Sequence, residues 1–483
     1  MINKKIIFQV IGLLLIIEGF FIGISTLVSL YYHGSDFYAL LITTGICVFS
    51  GISLRLATHN AEKNIHKREG YIIVSLVWVV FSLFGALPFI ISGAIPSYTD
   101  AFFETISGFT TTGASILNDI ESMPEGLLFW RSLTQWLGGM GIIVLSIAIL
   151  PMFGIGGMQL FVAEVPGPTP DKLHPRVKET AKRLWGIYVI FTVAEIILLK
   201  IGGMNWFDAV NHSFTTMATG GYSTKQASIA DPSFSPFIHY VIIVFMFIAG
   251  TNFTLSYFAL HLKFKKVFKN EEFRYYLGFV ILFTVVIAFA LWHFNGYNPE
   301  KSFRDSLFQV VSIITTTGFA TADYLLWKPF VIVMIFALMF FGGSAGSTGG
   351  SIKIVRITLL LKNSYQELKR IIHPNAVIPV RISGKSVPTQ IISNILAFVV
   401  FYMLITIVST MVISALGYDL QTSLGAVAAT LGNIGPGIGL VGPAENYAHI
   451  PDFGKWFLSF LMLIGRLELF TVLILFSPAF WKK

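Results

Sequence analysis

The most distinctive chemistry in the sequence lies in short runs of threonine and glycine that recur along the chain. Thr110–Gly113 and Thr315–Gly318 both read TTTG. Two variants, Ala218-Thr219-Gly220-Gly221 and Gly432-Asn433-Ile434-Gly435, stand at matching places. Glycine adopts positive φ without a Cβ clash, and threonine adds a hydroxyl that lines or seals a passage. An extended stretch of this composition can turn its carbonyl oxygens inward, and rings of carbonyls replace the hydration shell of a cation. The competing reading is that Thr and Gly only let membrane helices approach closely. Two full copies and two variants at matching places favour an ion path.

The elements that position these runs repeat as well. The preceding segments read YTDAFFETISGF, NWFDAVNHSFTTM and SFRDSLFQVVSII, with Asp100, Asp208 and Asp305 each thirteen positions ahead of Gly113, Gly221 and Gly318. Asp419 lies three positions earlier relative to Gly435, a looser copy. Each acid is expected at a helix N-terminus, where the dipole favours a carboxylate. The segments 97–113, 205–221, 302–318 and 419–435 are too short and too rich in Thr and Gly to span a bilayer. A half-length helix that stops at mid-membrane aims its carbonyl end, partially negative, at the bilayer centre. Non-helical backbone at that depth is tolerated only where it is buried or lines water.

Long apolar runs surround the short segments. A bilayer core of about 30 Å needs roughly 20 apolar residues in a helix. Ten runs qualify: 6–30, 37–57, 71–95, 127–150, 184–202, 236–260, 275–294, 329–349, 388–416 and 455–480. The chain is 54% hydrophobic and only 12% charged, with mean hydropathy +0.74, which excludes a soluble multidomain protein. The start, Met1–Lys5 followed by a long apolar run, reads as a first membrane helix rather than a cleaved signal. Lysine and arginine cluster after even-numbered runs, as at Lys63–Arg68, Lys172–Arg183, Lys263–Arg274 and Lys353–Lys385. Acids such as Asp100, Asp119 and Asp231 follow odd-numbered runs. Both termini are therefore expected in the cytoplasm. The net charge of +8 is a topology signal and not a nucleic-acid footprint. The single cysteine, Cys47, excludes an internal disulfide framework.

The expected fold is an all-α polytopic membrane protein of ten transmembrane helices. Four pseudo-symmetric helix–re-entrant loop–helix repeats surround one central pore, with an additional N-terminal helix pair. The boundaries are 1–66 for the pair and 67–160, 161–268, 269–372 and 373–483 for pore repeats 1 to 4.

The segments FETISGFTTTGAS, SFTTMATGGYST, SIITTTGFAT and GNIGPGIG resemble those of the Trk/Ktr/HKT superfamily of K+- and Na+-translocating subunits. The four-fold duplication with two extra N-terminal spans is similar to its TrkH-type branch. The resemblance covers essentially the whole chain. It implies a channel-like K+ uptake subunit in a bacterial cell inner membrane, usually a homodimer. It also implies regulation by a cytosolic nucleotide-binding RCK-type (TrkA-like) partner docking on the basic loops. Filter carbonyls are implied at Thr111, Thr112 and Gly113; Thr219, Gly220 and Gly221; Thr316, Thr317 and Gly318; Asn433, Ile434 and Gly435. K+ is thus the transported ion, held at the filter residues only, and no cofactor is implied. Relatives that prefer Na+ often carry Ser at the first filter glycine; Gly113 here favours K+.

Three features lie outside the filter. The run Phe340–Lys353 contains Gly342, Gly343, Ser344, Gly346, Ser347, Thr348, Gly349 and Gly350, and cannot make a good continuous helix, since each interior Gly costs about 1 kcal/mol relative to Ala. A nucleotide-binding glycine loop is disfavoured because no strand precedes it. The resemblance implies an intramembrane gate loop, with Lys353 either its anchor or a cytoplasmic-interface lysine. Arg466 sits deep in the last run, where a charge is expensive and functional by default. A structural salt bridge is the alternative. The resemblance implies a pore-facing barrier to cations. Glu104 lies nine positions before Gly113, with His212, Gln309 and Ala426 as counterparts; a hydrogen-bonding structural role is expected, and a contribution to the outer electrostatic field is the alternative.

A second reading is a K+ or Na+ secondary transporter coupled to H+ or Na+, which often relays protons through intramembrane carboxylates. Glu18, Glu195 and Glu468 are the clear cases, and their scarcity weakens it. No paired carboxylates, Ser/His arrangement or metal-ligand spacing points to an enzyme.

Overall fold

The computed structural model describes residues 2–61, 67–144 and 177–482. The elements run α1 (Lys4–Tyr31), α2 (Phe37–Ala57), α3 (Lys67–Gly85), α4 (Leu87–Ile91), α5 (Tyr98–Phe109), α6 (Glu125–Val144), α7 (Val177–Ile201), α8 (Trp206–Met217), α9 (Pro236–Ala249), α10 (Phe253–Leu260) and α11 (Phe264–Lys269). There follow α12 (Glu271–Asn295), α13 (Pro299–Ile314), α14 (Pro329–Leu338), α15 (Ile354–Ile372), α16 (Thr389–Ser414), α17 (Leu420–Leu431), α18 (Asp452–Arg466), α19 (Phe470–Leu473) and α20 (Pro478–Trp481). A small hairpin of β1 (Arg381–Ile382) and β2 (Lys385–Ser386) lies between α15 and α16.

Six spans among the described residues are long and apolar enough to cross a bilayer, and eight if each of two bent helix pairs counts as one. Ten continuous helices were expected, and three of the expected spans are interrupted. The run 236–260 is α9 and α10, bent by 114° at Gly250–Asn252, where Asn252 caps α10 by accepting from the Thr254 N–H at 2.7 Å. The run 455–480 is α18 followed by residues 470–476, bent by 110°, with Glu468 and Leu469 at positive φ. In the run 329–349 the helix ends at Leu338, and the glycine-rich stretch beyond it is non-helical. The end of the run 127–150 and most of the charged loop after it lie outside the described residues.

The short segments form helices as expected. A 12-residue helix such as α5, α8 or α17 is about 18 Å long at 1.5 Å per residue, too short to cross. Asp100, Asp208 and Asp419 stand at the helix starts as expected, but the register of the fourth copy and the place of Asp305 are corrected. The capping side chains are Ser97, Asn205, Asn298 and Asp419, accepting from the backbone N–H of Asp100, Asp208, Lys301 and both Gln421 and Thr422 respectively. Ser97, Asn205 and Asp419 each lie sixteen residues ahead of their glycine, so the fourth copy is in register with the first two. Its acid occupies the cap, whereas Asp100 and Asp208 sit in the first turn. Only the third helix differs, beginning one turn earlier and leaving Asp305 well inside.

Each short helix packs beside its own long helices. In addition, α8 packs on α6 of the preceding copy, α13 on α9, and α5 on α18 of the last copy, so the copies close on one another. The N-terminal pair packs mainly on itself and flanks α3 and α6.

Candidate functional site

The four Thr/Gly runs share one backbone conformation. Thr111, Thr219, Thr316 and Asn433 have φ of 52°, 54°, 60° and 53°, and Gly113, Gly221, Gly318 and Gly435 have φ of 82°, 77°, 84° and 97°. The N–H of the residue between them donates five residues back in every copy: Thr112 to Ser107, Gly220 to Thr215, Thr317 to Ser312 and Ile434 to Ala429, all at 2.8 Å. The left-handed residue donates to the carbonyl three positions earlier, at 2.9–3.2 Å. These are the two bonds of a Schellman helix ending. Glycine usually takes its left-handed position; here Thr or Asn does, at about 1–2 kcal/mol each. The stop of each half-helix and the opening of each Thr/Gly run are therefore one motif, and the helix carbonyl ends point at it.

The four runs meet. A Cβ added to Gly113 would strike the Gly220 carbonyl oxygen; on Gly221 it would strike that of Thr317, on Gly318 that of Ile434, and on Gly435 that of Thr112. The contacts close in the order one, two, three, four, one. Neither a side chain nor an L-residue's preferred φ fits at these glycines. All four glycines line one cavity together with Tyr222 and Tyr447.

The opposite end of the ring is covered by the loop between α14 and α15. Its Gly350 N–H donates to Thr316 Oγ1 at 2.7 Å, and Thr348 Oγ1 donates to the Met217 and Ala249 carbonyls at 3.2 and 3.3 Å. Ser344 N–H donates to the Gly250 carbonyl at 2.8 Å, and Gly346 accepts from Phe253 N–H at 3.2 Å, tying the loop to the break between α9 and α10. Gly342 N–H and the Gly343 carbonyl fold the loop back on Ile352 and Ile354, and Ser347 N–H closes a turn on Ser344. Lys353 is buried and its ammonium donates to the Gly349 carbonyl, so it holds the loop rather than sitting at an interface. Arg466 is buried and bridges two elements, donating to the Thr348 carbonyl at 2.6 Å and the Gly138 carbonyl at 3.1 Å. No carboxylate pairs with it among the described residues. Glu468 instead faces Arg356 at 2.7 Å.

Behind the first run, Glu104 accepts from Arg131 Nε at 2.7 Å, Ser115 Oγ at 3.0 Å and Ile116 N–H at 2.9 Å. Its counterpart His212 reaches Ser223 Oγ at 2.9 Å, the matching position of the second run. The hydrogen-bonding role expected of Glu104 is what its geometry provides. Sequence reasoning missed the partners. Arg131 also donates to the Ser223 carbonyl at 2.9 Å and lies 3.6 Å over the Tyr222 ring. Gln135 bridges to Gly220, and the hydroxyls of Tyr222, Tyr324 and Tyr447 donate to the carbonyls of Glu104, Gly437 and Gly435. An arginine and a glutamine inside the apolar run 127–150 were the signal for two of them, because polar groups in a span need partners. Among the described residues no group of His, Cys, Asp and Glu could hold a metal ion by side chains.

Comparison with known proteins gives the family. The family model for TrkH, a cation transport protein, matches residues 38–483. The Trk system potassium uptake protein TrkH of Escherichia coli is 43% identical over 99% of both chains, and that of Halomonas elongata 41% over 100% of both. The crystal structure of the potassium transporter TrkH from Vibrio parahaemolyticus aligns over 100% of both chains with a TM-score of 0.91 and 38% identity. With a family match over most of its length and relatives this similar end to end, the chain belongs to the TrkH family of cation transport proteins, a family of transporters and not of enzymes.

Proposed function

We propose that the chain is a channel-like potassium uptake subunit, and that K+ crosses through the ring formed by the four Thr/Gly runs. The observation that carries this reading is the closure of that ring from four copies of one helix ending. Four helix C-termini converge on a single axis, and no side-chain charge of the runs themselves is needed to attract a cation. Carbonyls of Thr111–Gly113, Thr219–Gly221, Thr316–Gly318 and Asn433–Gly435 replace the water shell of the ion. The names of the relatives, potassium uptake proteins, support K+ as the cargo.

In this reading the loop Gly342–Lys353 is the gate, because it spans the inner end of the ring and touches the second, third and fourth copies. Arg466 holds it closed through Thr348 and places a positive charge against the passing cation. The pore units are 67–160, 161–268, 269–372 and 373–483, preceded by the helix pair 1–66. The protein sits in the bacterial inner membrane with both termini cytoplasmic. It works as a homodimer, and a cytosolic RCK-type, TrkA-like subunit docks on the basic loops and moves the gate.

The test is growth rescue and Rb+ uptake in a bacterium lacking K+ uptake, with the regulatory subunit co-expressed. Wild type restores growth at low K+. Gly113→Ser, which places a side chain against the Gly220 carbonyl, weakens Rb+ uptake and raises relative Na+ entry. Absence of rescue at normal membrane abundance sinks the reading.

A further inference from the structure

The four runs share a backbone but not the side chains behind it. In the first, Thr110 and Thr112 hydroxyls lie 2.8 Å apart; in the third, Thr315 and Thr317 do the same. The second run has neither hydroxyl: Ala218 and Gly220 stand at those positions. Gly220 is not in the left-handed region, so its backbone does not require glycine. What requires it is space. A Cβ on Gly220 would fall on the carboxamide of Gln135, a fully buried side chain from α6. That carboxamide uses both ends on the second run. Nε2 donates to the Gly220 carbonyl at 2.7 Å, and Oε1 accepts from the Tyr222 N–H at 3.1 Å.

We infer that Gln135 takes the place of the missing threonine side chain and is a specificity-determining positioning residue for the second quarter of the ring. The inference rests on the reading of that ring as the ion path. The amide clamps the two peptide groups flanking Gly221, and with them the Gly220 carbonyl that abuts Gly113 of the first copy. A carbonyl oxygen has two lone pairs, so one bond to Gln135 leaves the other for an ion. Because the clamp comes from the first repeat and grips the second, it sets the spacing between adjacent quarters, which a brace within one run does not. Discrimination between cations of different radius depends on that spacing or on how firmly the carbonyls are held.

The experiment measures the Rb+/Na+ uptake ratio of the full-length chain in cells lacking K+ uptake, at quantified membrane abundance. Gln135→Met keeps the volume and removes the amide; the ratio falls by about two- to tenfold, the worth of one hydrogen bond. Gly220→Thr alone collides with Gln135 and loses uptake. Combining it with Gln135→Ala restores uptake and most of the ratio. A wild-type ratio for Gln135→Met overturns the inference, as does a double variant no better than Gly220→Thr. If Gln135→Met lowers abundance, the double variant decides. Gly113→Ser serves as the control: if it shifts the ratio and Gln135→Met does not, only the role of Gln135 fails. If neither shifts it, the ring reading fails with it.

Discussion

The ring and its surroundings obey different symmetries. Along the ring, backbone angles at corresponding residues agree within 8° at the left-handed position, and the bond to the carbonyl five residues back is 2.8 Å in all four copies. Behind it, the first copy is braced by Glu104 and Arg131, the second by His212 and Gln135, and the fourth by Asn433, which donates to Thr112 Oγ1 and the Met462 carbonyl. The difference teaches which part is under the tighter geometric demand. A helix ending is local, so it can be copied. A brace must fit whichever neighbour lies behind, and those neighbours have diverged. The same division separates the two ends of the ring: four equivalent glycines at one end, and at the other a single loop from the third repeat.

The comparison breaks first at the glycines. Alanine at Gly221 or Gly318 adds a methyl against the next copy's carbonyl at a φ near +80°, so each substitution alone abolishes Rb+ uptake. Equal losses support a four-fold ring; uptake surviving either one breaks it. Next comes the first brace. Arg131→Ala leaves Glu104 as a buried charge without its ion-pair partner, at a cost of ~3–5 kcal/mol. Thermal unfolding in detergent should occur at lower temperature, with less protein in the membrane, and Glu104→Gln should be milder. Arg466→Ala is expected to change Rb+ flux several-fold while leaving abundance near wild type, because the residue donates only to carbonyls. Unchanged flux at normal abundance removes Arg466 from the proposed gate. The smallest effect sharpens the symmetry: Thr110→Val and Thr315→Val each lose the matched hydroxyl contact and a bond to the carbonyl four residues back, about 1 kcal/mol per bond, and their uptake losses should be equal.

Much of this was legible before any coordinates. Alternation of long apolar runs with short Thr/Gly segments follows from residue spacing, because a helix of given length either reaches across a bilayer or does not. What spacing hid was where helices break. The runs 236–260 and 455–480 look continuous by hydropathy, yet each bends by more than 100° near a small or polar residue. Hydropathy sums transfer preference over a window and is blind to direction. The acids gave the helix starts but not their register: Asp100 and Asp419 open corresponding segments, yet one is a first-turn residue and the other a cap, and only the bonds separate them.

The sequence by itself determined that the chain is a membrane protein and that a half-helix ending in Thr and Gly occurs four times. These are properties of local backbone and of transfer between solvents. Only the tertiary structure decided that the four endings meet in one ring, that Arg131 and Gln135 stand behind it, and that Arg466 grips the loop through Thr348. Those facts join residues up to hundreds of positions apart, and the identity of a partner at such a distance depends on packing that no local pattern encodes.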